Sequence, residues 1–328
     1  AQPIRMAKMN DELQKLLLTN KTLTALDMAG NHLGNFGPHP LNEQKYDFFV
    51  KLASYLHASP IRRIDLSDNL ICGELGRKML GLSKLVQWMG KYGLAFSARS
   101  SKLRGQALMM ISDGFSHSSP MEWLDLNDNE LGLDAQGLRN CEGIRVFSKS
   151  LIHSPDIRVL KLARNSLTDE DMEHLCGALN FVPTLTELDI SGNKLHSRAM
   201  EVIGDVILSH AELSQADDLG LQILNISSNP ISTRGVDALK DAIRKSTTLT
   251  SLDAHNCDIE EDAMLHFREI MTLNPFIRTL DICDNPSRAV SIAMVDAEAL
   301  ANLRLHQIRH EPLNVKISNL SNYQYAAL

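Results

Sequence analysis

The sequence predicts an α/β repeat solenoid shaped like a horseshoe, with a concave parallel β-sheet and helices on the convex side. Three observations support this fold class. An eleven-residue pattern recurs along the chain, successive copies are far enough apart for a strand and a helix, and apolar residues at helical spacing follow the strand positions. With 328 residues, 44% of them hydrophobic, the chain can bury a large core.

The recurring pattern is LxxLxLxxNxL. Its eight copies begin at Leu23, Ile61, Met121, Ile157, Leu185, Leu221, Leu249 and Ile277. The L-x-L portion predicts a short strand with inward apolar side chains, and the ninth-position Asn turns the chain and satisfies backbone groups that no strand reaches. Cys257 replaces this Asn in one copy. We therefore expect Asn193 to matter more for stability than Asp189, which is predicted only to line the face.

A helix is predicted after each strand. In "TRGVDALKDAIRKS", Val236, Leu239, Ala242 and Ile243 have helical spacing. Successive copies are 38, 60, 36, 28, 36, 28 and 28 residues apart. The 36-residue copies are expected to add about two helical turns, and 209–220 is expected to be such a polar, solvent-facing extension.

Three regions are predicted along the chain. Residues 1–22 indicate the helix of a preceding repeat, 23–303 the array of about nine units, and 304–328 a C-terminal cap or extension. The chain starts with Ala-Gln and with a helical pattern, so we expect a fragment of a longer protein with an open N-terminal end.

The 60-residue gap leaves two interpretations. In the first, a degenerate ninth unit at about 91–120 aligns "KYGLAFS" with "MEWLDLN", so that Lys91 replaces the first Leu and Arg99 the turn Asn. In the second, about 30 residues project from the horseshoe as an insertion. We favour the degenerate unit, because an insertion would interrupt the sheet.

The same gap is basic. No acidic residue occurs from Leu75 to Ser112, and the basic residues of the 77–104 stretch are Arg77, Lys78, Lys84, Lys91, Arg99, Lys102 and Arg104. One interpretation is a patch for an acidic protein such as tubulin tails or actin, or for phosphate groups. The other is a solvated helix and loop whose aromatic residues, including Trp88, belong to the core.

The concave face supplies the second set of candidate contacts. The second, third, fifth, seventh and eighth positions of the pattern are predicted to line it. The candidate partner-binding residues there are Trp123, Arg62, Arg63, Glu122, Arg158, Lys161 and Arg164. Trp123 with flanking arginines has the composition of an interface hot spot. A row of fifth-position carboxylates is either common consensus or a surface for a basic ligand.

This pattern resembles the ribonuclease-inhibitor-like class of leucine-rich repeat proteins. That class includes ribonuclease inhibitor, the Ran GTPase-activating proteins, tropomodulin and the ligand-sensing part of NLR immune receptors. The resemblance covers nearly the whole chain and implies the horseshoe fold. It implies no single function, because the consensus residues are structural in every member, and no family functional residue is transferred to this chain.

The net charge, the cysteine spacing and the absence of known catalytic motifs argue against several classes of function. A net charge of -7 and a pI near 5.9 make nucleic-acid binding an unfavoured function, and no apolar run approaches the roughly 18 residues of a membrane span. Five cysteines without a CxxC fit a reducing compartment. GxGxxG after a strand, GxxxxGK[ST], HExxH and GxSxG are absent, and the histidines lack metal-ligand spacing. We expect no catalysis, cofactor or metal.

The resulting hypothesis is a non-catalytic protein-protein interaction scaffold or docking subunit of a larger intracellular assembly. A cytoplasmic location is expected, with a cytoskeletal, axonemal or flagellar setting favoured. Partners would bind the concave face and the basic 77–104 stretch, without membrane insertion. Two alternatives stay open: a small-GTPase regulator resembling the Ran activators, and a ligand-sensing fragment of an NLR-type receptor.

Overall fold

The computed structural model describes residues 12–31, 33, 43–69, 71, 79–115, 119–213, 219–286 and 314–316. The chain forms two compact units, Ala1–Val159 and Leu160–Leu328. In each unit, three-residue parallel strands alternate with helices. The predicted α/β repeat fold is confirmed.

In the first unit, residues 12–19 form helix α1. It is followed by β1 (Ala25–Asp27), α2 (Glu43–Leu56), β2 (Arg63–Asp65), α3 (Met79–Tyr92), β3 (Ala95–Ser97), α4 (Arg104–Gly114), β4 (Trp123–Asp125) and α5 (Glu142–Leu151). Strands β1 to β4 pair in parallel, with Leu26, Ile64, Phe96 and Leu124 in one register row. All four side chains are buried, and α2 packs on α3, α3 on α4 and α4 on α5.

Strand β5 (Val159–Lys161) lies at the boundary between the units. The second unit continues with α6 (Asp169–Leu179), β6 (Glu187–Asp189), α7 (Ser197–Leu213), β7 (Ile223–Asn225), α8 (Ser232–Lys245), β8 (Ser251–Asp253), α9 (Glu261–Leu273), β9 (Thr279–Asp281) and β10 (Asn314–Lys316). Strands β6 to β9 repeat the parallel register, and β10 pairs with β9 through Val315 and Leu280. The predicted last helix at 287–303 lies outside the described residues.

The ninth-position asparagines form a ladder between repeats. In Asn69, Oδ1 accepts the backbone N–H groups of Asn31 and Leu33 at 3.0 and 3.1 Å. Its Nδ2 donates to the carbonyls of Met28 and Leu66, both at 2.9 Å. Asn129, Asn193, Asn229 and Asn285 repeat the arrangement. Each amide therefore satisfies main-chain groups of two neighbouring repeats.

Strand β3 pairs with both β2 and β4, but its register differs from the predicted alignment by two residues. Phe96, not Leu94, lies opposite Leu124. Gly93 therefore takes the first position of this unit, and Ser101, not Arg99, takes the ninth. The Ser101 hydroxyl lies 3.2 Å from the carbonyl oxygens of both Leu66 and Arg99 and can donate its one proton to either.

A buried methionine explains the glycine at the first position of the β3 unit. Met89 is fully buried near the end of α3. A Cβ on Gly93 would lie 2.4 Å from the Met89 methyl carbon and 2.8 Å from its carbonyl oxygen. Met89 thus fills the space that the first Leu occupies elsewhere, and the assignment of Lys91 to that position was wrong.

The two 36-residue copies differ from each other. In the copy that starts at Met121, α5 has only 10 residues, and the added length is a loop at 131–141. Asp134 Oδ1 organises this loop by accepting the N–H groups of Gln136 and Leu138, both at 2.9 Å. The expected extra helical turns are therefore wrong for this copy. In the copy that starts at Leu185, α7 is longer, with 17 residues.

One histidine of the predicted solvent-facing segment 209–220 is buried. His210 is 0% exposed, and its Nε2 lies 2.9 Å from the Leu179 carbonyl oxygen. The Nε2–H tautomer can donate this bond, and His210 Nδ1 then has no hydrogen-bond partner. Burial lowers the pKa of His210, and the bond to Leu179 opposes the shift.

We predict that His210 makes the protein less stable in acid. The pKa of His210 in the folded protein lies below its unfolded value of about 6.5. Below that pH the unfolded chain binds a proton more readily than the folded one, so stability is lost as the pH falls. Urea denaturation at pH 7.5 and 5.5 should show a larger loss of unfolding free energy for the wild type than for His210→Gln. Parallel losses in the two proteins would contradict this expectation.

Candidate interaction surface

The strand face of each unit carries the outward side chains of the sheet. We use this name for the second, third, fifth, seventh and eighth positions of each repeat. In β1, β2, β6, β7, β8 and β9 the middle, fourth-position residue is buried and its two neighbours are not. The candidate contacts at the third and fifth positions are therefore turned away from the core, as the period of a strand requires.

The fifth-position acids have a structural task. The Oδ1 atoms of Asp65, Asp125, Asp189 and Asp253 each accept the backbone N–H two residues later, at 2.8 to 3.2 Å. Asp27 and Asp281 do the same. In the first unit, Ser97 interrupts the row. The expectation that these acids only line the face was wrong, because they also close the turn after each strand.

The eighth position is selected by its backbone conformation. Its residues have φ between 52° and 68° in nine copies, and they are Gly30, Asp68, Ser100, Asp128, Arg164, Gly192, Ser228, Asn256 and Asp284. Gly, Asn and Asp tolerate this left-handed region best. Arg164 is therefore unusual there, and its exposed side chain stands where a turn residue is expected.

Trp123 is the half-buried third-position residue of β4. Its register partner in β3 is Ala95, and the partner of Ala95 in β2 is Arg63. Adjacent strands lie about 4.8 Å apart, so a methyl group separates the indole from the arginine two strands away. On the other side, the Val159 N–H donates to the Glu122 carbonyl at 3.0 Å. Trp123 therefore has the short side chain of Ala95 beside it on the strand face.

The other candidate residues of the first unit differ in their contacts. Arg62 is half-buried, and its Nη1 donates to the carbonyls of Ser59 and Ile61 at 3.0 and 2.6 Å. One nitrogen of its guanidinium group is therefore already bonded to main-chain carbonyls. Arg63, Glu122 and Arg158 are exposed. The strand face of the first unit accordingly presents an indole with charged side chains around it.

In the second unit, Lys161 is balanced by an acid of the next strand. Its Nζ lies 2.9 Å from Glu187 Oε1, and both side chains are about one quarter exposed. Lys161 therefore does not stand as an isolated cation among the fifth-position residues.

The basic 77–104 stretch does not face solvent as an unopposed charge cluster. Arg99 Nε lies 3.3 Å from Asp128 Oδ2, and Arg104 Nε lies 3.0 Å from Glu130 Oε2. Both acids belong to the next repeat, so the order of residues along the chain does not show that they oppose these arginines. The pairs neutralise two of the seven predicted cations.

The remaining basic residues lie on different elements. Lys84 and Lys91 are exposed on α3, and Lys91 Nζ lies 5.1 Å from the centroid of the Tyr92 ring. Lys102 is exposed before α4. Trp88 is buried at 3% exposure. Arg77 and Lys78 lie outside the described residues.

One cluster on the strand face of the second unit was missed from the sequence. Asp253, His255 and Asp281 are half-buried, and each places a possible ligand atom within 4.8 Å of the others. The signal was present as D-x-H in "LDAHNC" and an Asp at the same position one repeat later. It was overlooked because the histidines were judged by spacing along the chain.

Comparisons with known proteins agree with the repeat geometry. The family model described as "Leucine Rich repeat" matches residues 19–37, 183–204 and 221–240. The ribonuclease inhibitor of Sus scrofa is 25% identical over 265 residues, which cover 71% of this chain and 54% of that protein. Human NACHT, LRR and PYD domains-containing protein 13 is 24% identical over 72% of this chain and 26% of its own length.

This chain carries leucine-rich repeats and is similar to the ribonuclease inhibitors. Among solved structures, the leucine-rich repeat-containing protein LegL7 from Legionella pneumophila matches with a TM-score of 0.48 and 14% identity, over 86% of this chain and 92% of that one. The leucine-rich repeat chain spans about half of the pig inhibitor and about a quarter of the human NACHT, LRR and PYD protein. Within its described residues, no helix combines the length and apolarity needed to cross a bilayer.

Proposed function

We propose that this chain is a non-catalytic protein-interaction module whose strand face in the first unit binds a segment of another protein. The observation that supports this most directly is Trp123, which is half-buried on an outward strand position beside Ala95. Trp, Tyr and Arg are enriched among the residues that contribute most of the binding energy of an interface. The relationship to ribonuclease inhibitor and to NACHT, LRR and PYD proteins points to the same class of function.

The charges around Trp123 indicate the chemistry of the partner segment. Arg63 is an exposed cation on the same face, and the half-buried Arg62 precedes it. A partner with an apolar or aromatic side chain next to a carboxylate would fit the indole and the guanidinium groups. An acidic peptide segment is therefore the favoured ligand class.

The test compares three immobilised versions of this 328-residue chain for the proteins that each captures from an extract of the source cells. These are the wild type, Trp123→Ala and Phe181→Ala. Phe181 is 71% exposed at the end of α6 in the other unit, so its variant controls for loss of an exposed aromatic. Partners of this face should be held by the wild type and the control and lost with Trp123→Ala.

For a purified partner, Trp123→Ala should weaken binding about 30-fold, equivalent to about 2 kcal/mol. Arg63→Glu should also weaken binding, and more so at low salt. Cross-linking mass spectrometry should place the partner near residues 62–63, 95 and 122–123. Partners held equally by all three baits, or cross-links confined to the helices, would refute the proposed surface.

A ligand-sensing fragment of an NLR-type receptor is the second candidate function. It is favoured by the match to the human NACHT, LRR and PYD protein, of which this chain covers 26%. The complete open reading frame decides the matter, because this candidate requires a nucleotide-binding domain in the same gene. A full-length gene without one would eliminate it.

The cytoplasmic location, the cytoskeletal or flagellar setting and the GTPase-regulator alternative are also proposals. For the cytoskeletal setting, the exposed Lys84, Lys91 and Lys102 are the remaining support, since Arg99 and Arg104 pair with acids of the next repeat. Microscopy of the tagged protein and co-sedimentation with microtubules and F-actin test the location and setting. Hydrolysis assays with a small-GTPase panel test the alternative.

A further inference from the structure

The adjacent strands β8 and β9 bring together side chains that commonly bind metals. Their register pairs Asp253 with Asp281. His255 and Cys283 follow these acids by two residues, the spacing at which side chains return to one face of an extended chain. Main-chain bonds from Ala254 to Asp281 and from Asn256 to Cys283, at 2.7 and 2.9 Å, continue the pairing past the strand ends. Two carboxylates, an imidazole and a thiol therefore occupy neighbouring positions.

The geometry points to a divalent metal site formed by Asp253, His255 and Asp281. We propose that it binds zinc, with solvent water completing the coordination. The possible ligand atoms of the three side chains lie within 4.8 Å of one another, and all three residues are half-buried. One imidazole and two carboxylates are within the ligand set of zinc, and three protein ligands leave an open coordination position.

Local hydrogen bonds already orient the ligands. Asp253 Oδ1 accepts the His255 N–H at 3.2 Å and lies 2.7 Å from the His255 ring atom Nδ1. Asp281 Oδ1 accepts the Cys283 N–H at 3.1 Å. Zinc would replace the proton that Asp253 and His255 share, while the main-chain bonds hold the two carboxylates in place. The imidazole favours zinc over magnesium and calcium, which prefer oxygen ligands alone.

The residue types at the seventh position of the last two copies differ from those of the earlier copies, which favours a metal site there. In earlier copies of this unit this position holds Ala163, Ser191 and Ser227, and only the last two copies carry His255 and Cys283. One neighbour opposes a cation: Lys316 of β10 is in register with Asp281. We therefore expect a weaker site than a closed structural zinc centre.

The chain contains its own matched control. His266 and Asp237 also form a histidine–aspartate contact, with His266 Nδ1 facing Asp237 Oδ1. Among the described residues, this pair is not part of a three-ligand cluster. If a histidine–aspartate pair alone were sufficient for zinc, changing either histidine would have a similar effect.

The test is isothermal titration of the full chain with Zn²⁺ at pH 7.5, in parallel with melting curves at increasing zinc. The wild type should bind one ion and melt at a higher temperature with zinc, since binding to the folded state alone stabilises it. His255→Gln and Asp281→Asn should each weaken binding at least about tenfold, equivalent to about 1.4 kcal/mol. Both substitutions are close in shape, and their circular dichroism checks the fold.

Two further variants separate this site from adventitious binding. His266→Gln and Cys283→Ala should bind zinc within about twofold of the wild type, and Mg²⁺ and Ca²⁺ should not compete at equal concentration. The proposal is overturned if zinc does not bind, if His255→Gln binds normally, or if His266→Gln weakens binding as much. Loss of binding in Cys283→Ala would show thiol capture and would also overturn it.

Discussion

Asn193→Ala is expected to lower the free energy of unfolding by about 4 kcal/mol. Its Oδ1 accepts the N–H groups of Asn165 and Leu167 at 2.8 and 3.0 Å, and its Nδ2 donates to the carbonyls of Leu162 and Ile190 at 3.1 and 2.8 Å. The side chain is buried at 7% exposure, so alanine leaves several main-chain groups without partners. Urea denaturation measures the loss.

Asp189→Ala is the matched comparison, because Asp189 lies four residues earlier in the same repeat. Its Oδ1 accepts the Ser191 N–H at 3.1 Å and the Ser191 hydroxyl at 2.7 Å. Both residues are only half-buried, and water can replace the carboxylate. We expect a loss of about 1 kcal/mol. Equal losses in the two variants would contradict the role assigned to the ladder.

Gly90→Ala is expected to destabilise the protein by about 3 kcal/mol, at the upper end of overpacking effects. Gly90 is buried in α3. A Cβ there would lie 1.8 Å from the Gly114 carbonyl oxygen and 2.4 Å from its carbonyl carbon. These are backbone atoms of α4, so the clash can be relieved only by moving the helices apart. Thermal and urea denaturation should both show the loss.

Gly177→Ala serves as the control with the opposite sign. Gly177 is an exposed residue inside α6, and a Cβ there would have no atom within 4 Å. Alanine should stabilise the protein by about 0.5–1 kcal/mol, because glycine loses more backbone entropy in a helix. If both glycine variants were destabilised alike, helix contact at Gly90 would not be the cause.

The repeat architecture was predictable because each copy carries its own signal. In the eight recognisable copies, the fourth-position Leu or Ile and the ninth-position Asn, which Cys257 replaces once, identify the strand and the turn in isolation. The β3 unit is the exception, since Gly93 and Ser101 occupy the first and ninth positions. Neither residue type carries the pattern, and the space of the missing Leu is filled by Met89 from the preceding helix. Only the three-dimensional contact reveals that substitution.

The sequence predicts which residues lie on the candidate surface, but it does not predict which of their charges are paired. Trp123 could be placed on the strand face from the pattern alone. The partners of Arg99, Arg104 and Lys161 lie 26 to 29 residues away in the chain. Such pairs depend on the register between repeats, and the register of the β3 unit was shifted by two residues. The Asp253, His255 and Asp281 cluster was missed for the same reason, since it joins two strands.

The asparagine ladder also bears on how single repeats can diverge. Each amide bonds to main-chain N–H and carbonyl groups of its neighbour, as Asn129 does with Ser101, Leu103 and Ala98. Main-chain groups are the same whatever side chain they carry. A unit such as "GLAFSARSSKL" can therefore lose its own consensus residues while the adjacent Asn129 keeps its full set of hydrogen bonds. The hydrogen bonds of the ladder therefore tolerate sequence drift in a single repeat.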